Sequence, residues 1–158
     1  MKIIKIFNNN SIAALSDELG DIILTGSGIG FQKKIGDLVD ESHIEKTYIF
    51  KDKSEKRLRR GIDDIEPIYY EITSLLVNKA TNELSTQFYG EIFLAISDHI
   101  AFAIKRKKEK IDLPNVVLSE TKAIYKKEYQ LGLWAIKLIK EKIRREKNRC
   151  SEQMIMLR

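Results

Sequence analysis

The spacing of apolar residues changes once along this chain, near residue 55, so its two parts cannot belong to one kind of layer. Before that point, short apolar runs are separated by turn-forming residues. Lys2–Phe7 predicts a strand that ends at Asn8, Asn9 and Asn10. Ser11–Leu15 predicts a second strand, Asp17–Gly20 a turn and Asp21–Thr25 a third strand, which together make an antiparallel meander. Three glycines within Gly26–Gly30 stop any regular element there, and Thr47–Phe50 predicts a fourth strand beyond them.

After residue 55 the period is helical. Ile65, Ile68, Tyr69, Ile72, Leu75 and Leu76 recur at the spacing of one helix face, with Asp63 or Asp64 as the cap and Pro67 tolerated in the first turn. Phe88, Ile92, Ile96, Ile100 and Ala103 predict a second long helix. Leu113-Pro114-Asn115 predicts a loop and Ser119 a cap, and Ile124, Leu131, Ala135 and Leu138 predict a third helix ending near Glu146. The expected fold is therefore two domains, a small all-β four-stranded antiparallel sheet followed by an all-α helical bundle. The boundaries fall at 1–55 for the sheet, 56–64 for a charged linker, 65–148 for the helices and 149–158 for a frayed tail without caps.

With 43% hydrophobic and 32% charged residues, a chain of 158 residues can bury a core without staples. No apolar run approaches the roughly 20 residues that span a bilayer, and the N-terminus has no signal-peptide pattern. Cys150 is the sole cysteine, so no internal disulfide and no cysteine metal cluster can form, which suits a reducing cytoplasm. No metal, cofactor or membrane insertion is expected. Net charge is +5 and unevenly spread: residues 1–55 carry 7 basic and 9 acidic side chains, residues 103–149 carry 15 and 6. Nucleic-acid binding by bulk electrostatics would fall to that C-terminal third, where the plainer reading is a solvated lysine-rich face.

The sequence holds no catalytic constellation: no Gly-x-Ser-x-Gly, no P-loop lysine and no His-Glu-x-x-His. Gly26–Phe31 has the glycines of a dinucleotide loop but lacks the βαβ unit that would use them. A different reading takes the turns together. The first and third strands of a meander run the same way, so Asn8–Asn10 and Gly26–Gly28 fall at one edge, next to Phe31-Gln32-Lys33-Lys34. Amides read base edges, glycines admit a close backbone and an exposed phenylalanine stacks, which are the parts used on unstacked RNA bases. The plainer alternative is turn chemistry and a core phenylalanine. His99 follows Asp98 in the second helix, at the apolar stripe or its edge, and is either a satisfied core histidine or an acceptor in phosphoryl transfer. His43 lies in a polar segment and is expected to be merely exposed, whereas Tyr125 and Trp134 are expected in the core.

Lys2–Asn10, Gly26–Asp37 and Ile44–Lys46 resemble, with matching spacing, the co-antiterminator RNA-binding domain of the BglG/SacY/LicT-type bacterial transcription antiterminators. Leu94–Arg106 and Tyr125–Tyr129 resemble the first half of a PTS regulation domain. The resemblance implies a dimeric four-stranded domain that grips an RNA hairpin in a leader transcript and prevents an overlapping terminator from forming. It implies RNA contacts at Lys5, Asn8, Asn10, Gly26, Ser27, Phe31 and Gln32, with Phe31 stacking on a base and Gly26 admitting the backbone. It also implies that His99 takes a phosphoryl group from sugar phosphotransferase-system proteins, so that the partners are the leader mRNA hairpin, those donors and a second copy.

Two departures accompany the resemblance. Ser27 stands where relatives carry arginine or lysine, which removes a charged contact. The segment Cys150–Arg158 does not resemble the helix with a second histidine that should complete the regulation domain, so the helical bundle is expected to be incomplete and its apolar faces partly uncovered. Two rivals follow: a truncated or decayed regulator acting only as a dimerising interaction module, and a DNA-binding regulator using the basic helices of 105–149.

Overall fold

Two uninterrupted apolar runs, Ile12-Ala13-Ala14 and Ile22-Ile23-Leu24, dictate the architecture, because strands with apolar residues on both sides must be buried on both faces. The computed structural model describes residues 1–51, 65–111, 114 and 117–156, with side chains as far as Arg149. The expected linker 56–64, with the caps Asp63 and Asp64, lies outside the described residues, as do Leu113 and Asn115. Strands β1 (Lys2–Asn8), β2 (Ser11–Ser16), β3 (Gly20–Thr25) and β4 (Lys46–Ile49) form one antiparallel sheet in the order β1-β2-β3-β4. Their ends fall within one residue of those expected. Ile12 pairs with Leu24, Ala13 with Ile23 and Ala14 with Ile22, while β1 carries register shifts after Ile3 and after Ile6.

One face of the sheet presents Ile3, Ile12, Ala14, Ile22 and Leu24, covered by Ile29, Val39 and Ile44 from the chain between β3 and β4. The other presents Phe7, Ala13, Ile23 and Tyr48, and helices α1 (Pro67–Leu84) and α2 (Gly90–Lys108) cover it. Pro67 occupies the first turn of α1, where its missing N–H costs no helical hydrogen bond. The Phe7 ring stacks on Tyr70 of α1 with centroids 4.2 Å apart, and the Tyr48 ring meets Phe93 of α2 at 5.2 Å. The Tyr48 hydroxyl donates to Asn78 Oδ1 at 3.2 Å. Burial pushes that hydroxyl's pKa up, and a hydrogen bond with Thr25 partly opposes the shift. Gly90 opens α2 because a Cβ there would lie 2.4 Å from the Phe50 ring.

The second helix is rotated from expectation. Its buried positions are Gly90, Phe93, Ser97 and Ile100, whereas Ile92 is exposed. Ser97 disguised the stripe: its hydroxyl donates to the Phe93 carbonyl and accepts from Thr73, each at 2.9 Å, so a polar residue fills an apolar position without an orphaned group. The third helix is split at Tyr125 into α3 (Leu118–Ile124) and α4 (Lys126–Met156), because Tyr125 leaves helical geometry at φ −107° and ψ 61°. Ser119 consequently lies inside α3, which Val117 precedes as cap residue, and Tyr125 is exposed rather than in the core. No residue of α3 is buried, while Leu131 and Ala135 of α4 are. Trp134 is half-buried under the Lys79 ammonium. Helix α4 continues to Met156, past the expected start of a frayed tail at 149. Ion pairs Glu141–Arg145 and Glu146–Arg149, each about one turn apart, support that stretch, which no glycine or proline interrupts.

Removing the Tyr70 ring takes away both its stack on Phe7 and the cover over Ala13 and Ile23. Tyr70→Ala is expected to cost about 3–5 kcal/mol in urea unfolding, the range for truncating a buried aromatic. A loss under about 1 kcal/mol would mean that sheet and helices do not share this core.

Candidate nucleic-acid interface

Strands β1 and β3 run in the same direction, so the turn Asn8–Asn10 and the loop Gly26–Gly28 leave the sheet side by side. Hydrogen bonds weld the two. The Gly26 N–H donates to the Asn10 carbonyl at 3.0 Å and the Gly30 N–H to the Asn9 carbonyl at 2.9 Å. The Gly28 N–H donates to Asn10 Oδ1 at 2.9 Å, and the Asn10 N–H donates to Asn8 Oδ1 at 2.8 Å. The acceptor ends of both amides are thus engaged inside the loops. What the exposed Asn10 offers a ligand is its pair of Nδ2 hydrogens, which suit the acceptor atoms of a base edge.

A second set of contacts holds the glycine loop from below. Gly26 is buried, and a Cβ on it would lie 1.7 Å from the His43 carbonyl oxygen, so the close approach that this glycine permits is to its own chain. The Glu45 N–H donates to the Thr25 carbonyl at 2.9 Å. Ser27 is exposed, yet its N–H donates to Glu45 Oε1 at 3.0 Å and its carbonyl accepts from His43 Nδ1 at 2.7 Å. His43 ends a short 3-10 turn, Glu41–His43, capped by Asp40. Asp40 Oδ1 accepts from the Ser42 hydroxyl at 2.6 Å and from the Ser42 N–H at 3.1 Å. Those bonds, with smaller help from His43 and Lys33, hold the Asp40 carboxyl below its usual range, so the cap outlasts mild acid and is lost only as pH falls through that lowered value.

The next residues stand proud of this base. Phe31 is 56% exposed and belongs to none of the apolar clusters, so the core-phenylalanine alternative falls. Its N–H donates to the Gly28 carbonyl at 2.9 Å, and Gln32 follows in the left-handed region at φ 55°, which turns the chain away. Asn8, Asn10, Gly26 and Ser27 line a groove of about 280 Å³ whose other wall comes from α1 and α4, including Asn78 and the ion pair Glu71–Lys142. Asn8 Nδ2 also reaches the Pro67 carbonyl, at 3.5 Å, so the helices touch this edge directly. Lys5 does not line that groove; it is half-buried in β1 opposite Ala13.

His99 is exposed on α2, turned away from the stripe that Phe93, Ser97 and Ile100 bury. Among the described residues, no cluster of three histidine, cysteine or acidic side chains could hold a metal ion, and no helix is long and apolar enough to cross a membrane. The roles of His43 and Glu45 had no signal in spacing or composition, since their partner lies 16 to 18 residues away.

Residues 1–57 match the CAT RNA binding domain and residues 74–148 the PRD domain. The transcription antiterminator LicT of Bacillus subtilis is 37% identical over 144 residues, covering 90% of this chain and 52% of LicT. The beta-glucoside operon antiterminator of Dickeya chrysanthemi is 32% identical over 146 residues, covering 90% of this chain and 51% of its own. The chain therefore spans about half the length of the curated relatives it matches. The crystal structure of GlcT CAT-PRDI superposes with a TM-score of 0.72 at 33% identity, covering 89% of this chain and 84% of that one. With a sheet domain and a helical domain in the same order and the same fold as that relative, the chain belongs to the family of CAT–PRD transcription antiterminators.

Proposed function

We propose that this chain carries the RNA-reading and first regulatory parts of a bacterial transcription antiterminator. In this reading a homodimer grips an imperfect hairpin in a leader transcript, in the cytoplasm, and keeps the overlapping terminator from forming. The observation that carries it is an exposed Phe31 beside amides whose acceptor ends are engaged internally and whose loop is held by hydrogen bonds on two sides. A stacking ring beside the outward Nδ2 donors of Asn10 suits an unpaired base and has no use in a solvated turn, while Asn8 braces Asn10 from below. Asn8, Asn10, Ser27, Phe31 and Gln32 would face the RNA, with Gly26 packed beneath them and Lys5 a candidate for the phosphate backbone. With more acidic than basic residues in 1–55, the affinity of one copy would rest on stacking and amide bonds, and two copies on one hairpin would multiply it.

His99 is read as the phosphoacceptor, and the phosphotransferase-system proteins as its donors; its imidazole receives a phosphoryl group and performs no turnover chemistry. Exposure on α2 leaves its ring open to a donor protein. The helical domain that carries it also forms one wall of the groove beside Asn8 and Asn10, which gives a phosphoryl charge a short route to the RNA edge.

Phe31→Ala is expected to weaken hairpin binding by about 1–3 kcal/mol in a filter-binding titration, the span seen for base–aromatic stacks. Unaltered affinity would remove the stacking role. His99→Ala is expected to abolish phosphate incorporation from a reconstituted phosphotransferase chain; label retained by that variant would assign the acceptor elsewhere.

A further inference from the structure

We propose that His43 and Glu45 are positioning residues for RNA recognition, holding the Ser27 backbone at the centre of the interface from both of its polar ends. The inference rests on the hairpin-binding reading above. Ser27 leaves β3 through two glycines, Gly26 and Gly28, and such a segment has wide conformational freedom of its own. Its N–H is tethered by Glu45 Oε1 at 3.0 Å and its carbonyl by His43 Nδ1 at 2.7 Å. The two tethers fix the peptide planes on either side of the Ser27 Cα, so the exposed Ser27 side chain is presented in one orientation and the following Gly28 N–H is aimed at Asn10 Oδ1.

The tethers themselves are firmly based. A carbonyl oxygen can only accept, so His43 Nδ1 carries the hydrogen and the other ring nitrogen, Nε2, is directed towards Asp40 Oδ2, 4.0 Å away. Asp40 caps the turn that delivers His43, and the Glu45 N–H is bonded to Thr25. The His43 carbonyl packs directly on the Gly26 Cα, at a distance no larger residue would allow. None of these atoms belongs to any of the three apolar clusters, and His43 and Glu45 are both exposed. Their geometry therefore adds order to one loop and contributes little to holding the sheet together. Loops held in a ligand-ready shape bind more tightly because less freedom is lost on binding.

The experiment measures binding of the full chain to an antiterminator-type hairpin and to a scrambled hairpin of equal length, across a salt series, together with thermal unfolding and Ser27 amide exchange. His43→Ala and Glu45→Ala are each expected to weaken hairpin binding about three- to tenfold, as expected for one net hydrogen bond. Both should leave the slope of affinity against salt and the unfolding midpoint unchanged, and Glu45→Ala should speed Ser27 amide exchange. His43→Asn, whose amide nitrogen can take the place of Nδ1, and Glu45→Gln, which keeps the acceptor, should restore binding. Wild-type affinity in both alanine variants would overturn the inference, with the hairpin reading intact. A shallower salt slope in His43→Ala without rescue by asparagine would also overturn it, because the ring would then be touching phosphate itself. So would a drop in the unfolding midpoint large enough to explain the lost binding. A wild-type chain that does not distinguish the two hairpins would overturn the hairpin-binding reading and this inference together.

Discussion

A four-stranded sheet that is apolar on both sides has to be covered twice, and the arrangement of everything else in this protein follows from how the two covers are supplied. The first cover comes from the chain between β3 and β4, which lays Ile29, Val39 and Ile44 over Ile12, Ala14, Ile22 and Leu24. The second comes from α1 and α2, which set Tyr70, Val77 and Phe93 against Phe7, Ala13, Ile23 and Tyr48. Without the second cover, a ring as large as Phe7 would be left facing water on a sheet only four strands wide.

Each cover also delivers a wall of the candidate interface. The first must return to the sheet at β4, and on the way its 3-10 turn passes under Gly26, which brings His43 and Glu45 within reach of Ser27. The second starts at Pro67, beside the end of β1, so the carbonyl at the head of α1 meets Asn8 and Glu71 lies across the groove. Any displacement of α1 relative to the sheet moves that wall. The burial that stabilises the sheet is thus mechanically continuous with the edge proposed to read RNA, and with the helix pair that carries His99.

Much of this was legible in the residues. Short apolar runs broken by Asn8–Asn10, Asp17–Gly20 and Gly26–Gly30 placed all four strands, and the parallel sense of β1 and β3 brought the two loops together. What escaped was long-range or masked by polarity. Ser97 occupies a buried helix position with a hydroxyl, which rotated the expected stripe and put His99 at its edge instead of outside it. Tyr125 breaks a run of helix formers with no glycine or proline to announce it. His43 sits among charged residues, with Asp40 its visible partner nearby in sequence, and only the fold carries its Nδ1 to Ser27. Gly26 was expected to make room for RNA, and the neighbour it makes room for is the His43 carbonyl.

The edge proposed to read RNA is pre-shaped, built of amides and one aromatic ring with little bulk charge behind it. The most direct test is a gel-shift titration of the 158-residue chain with an antiterminator-type hairpin and a scrambled hairpin of equal length, at low and at physiological salt. Selective binding of the first hairpin is expected, with affinity falling by less than about tenfold between about 50 and 200 mM salt. Equal binding of both hairpins that collapses over the same salt range would contradict it, because the contact would then be electrostatic and would belong to the basic helices of the C-terminal third.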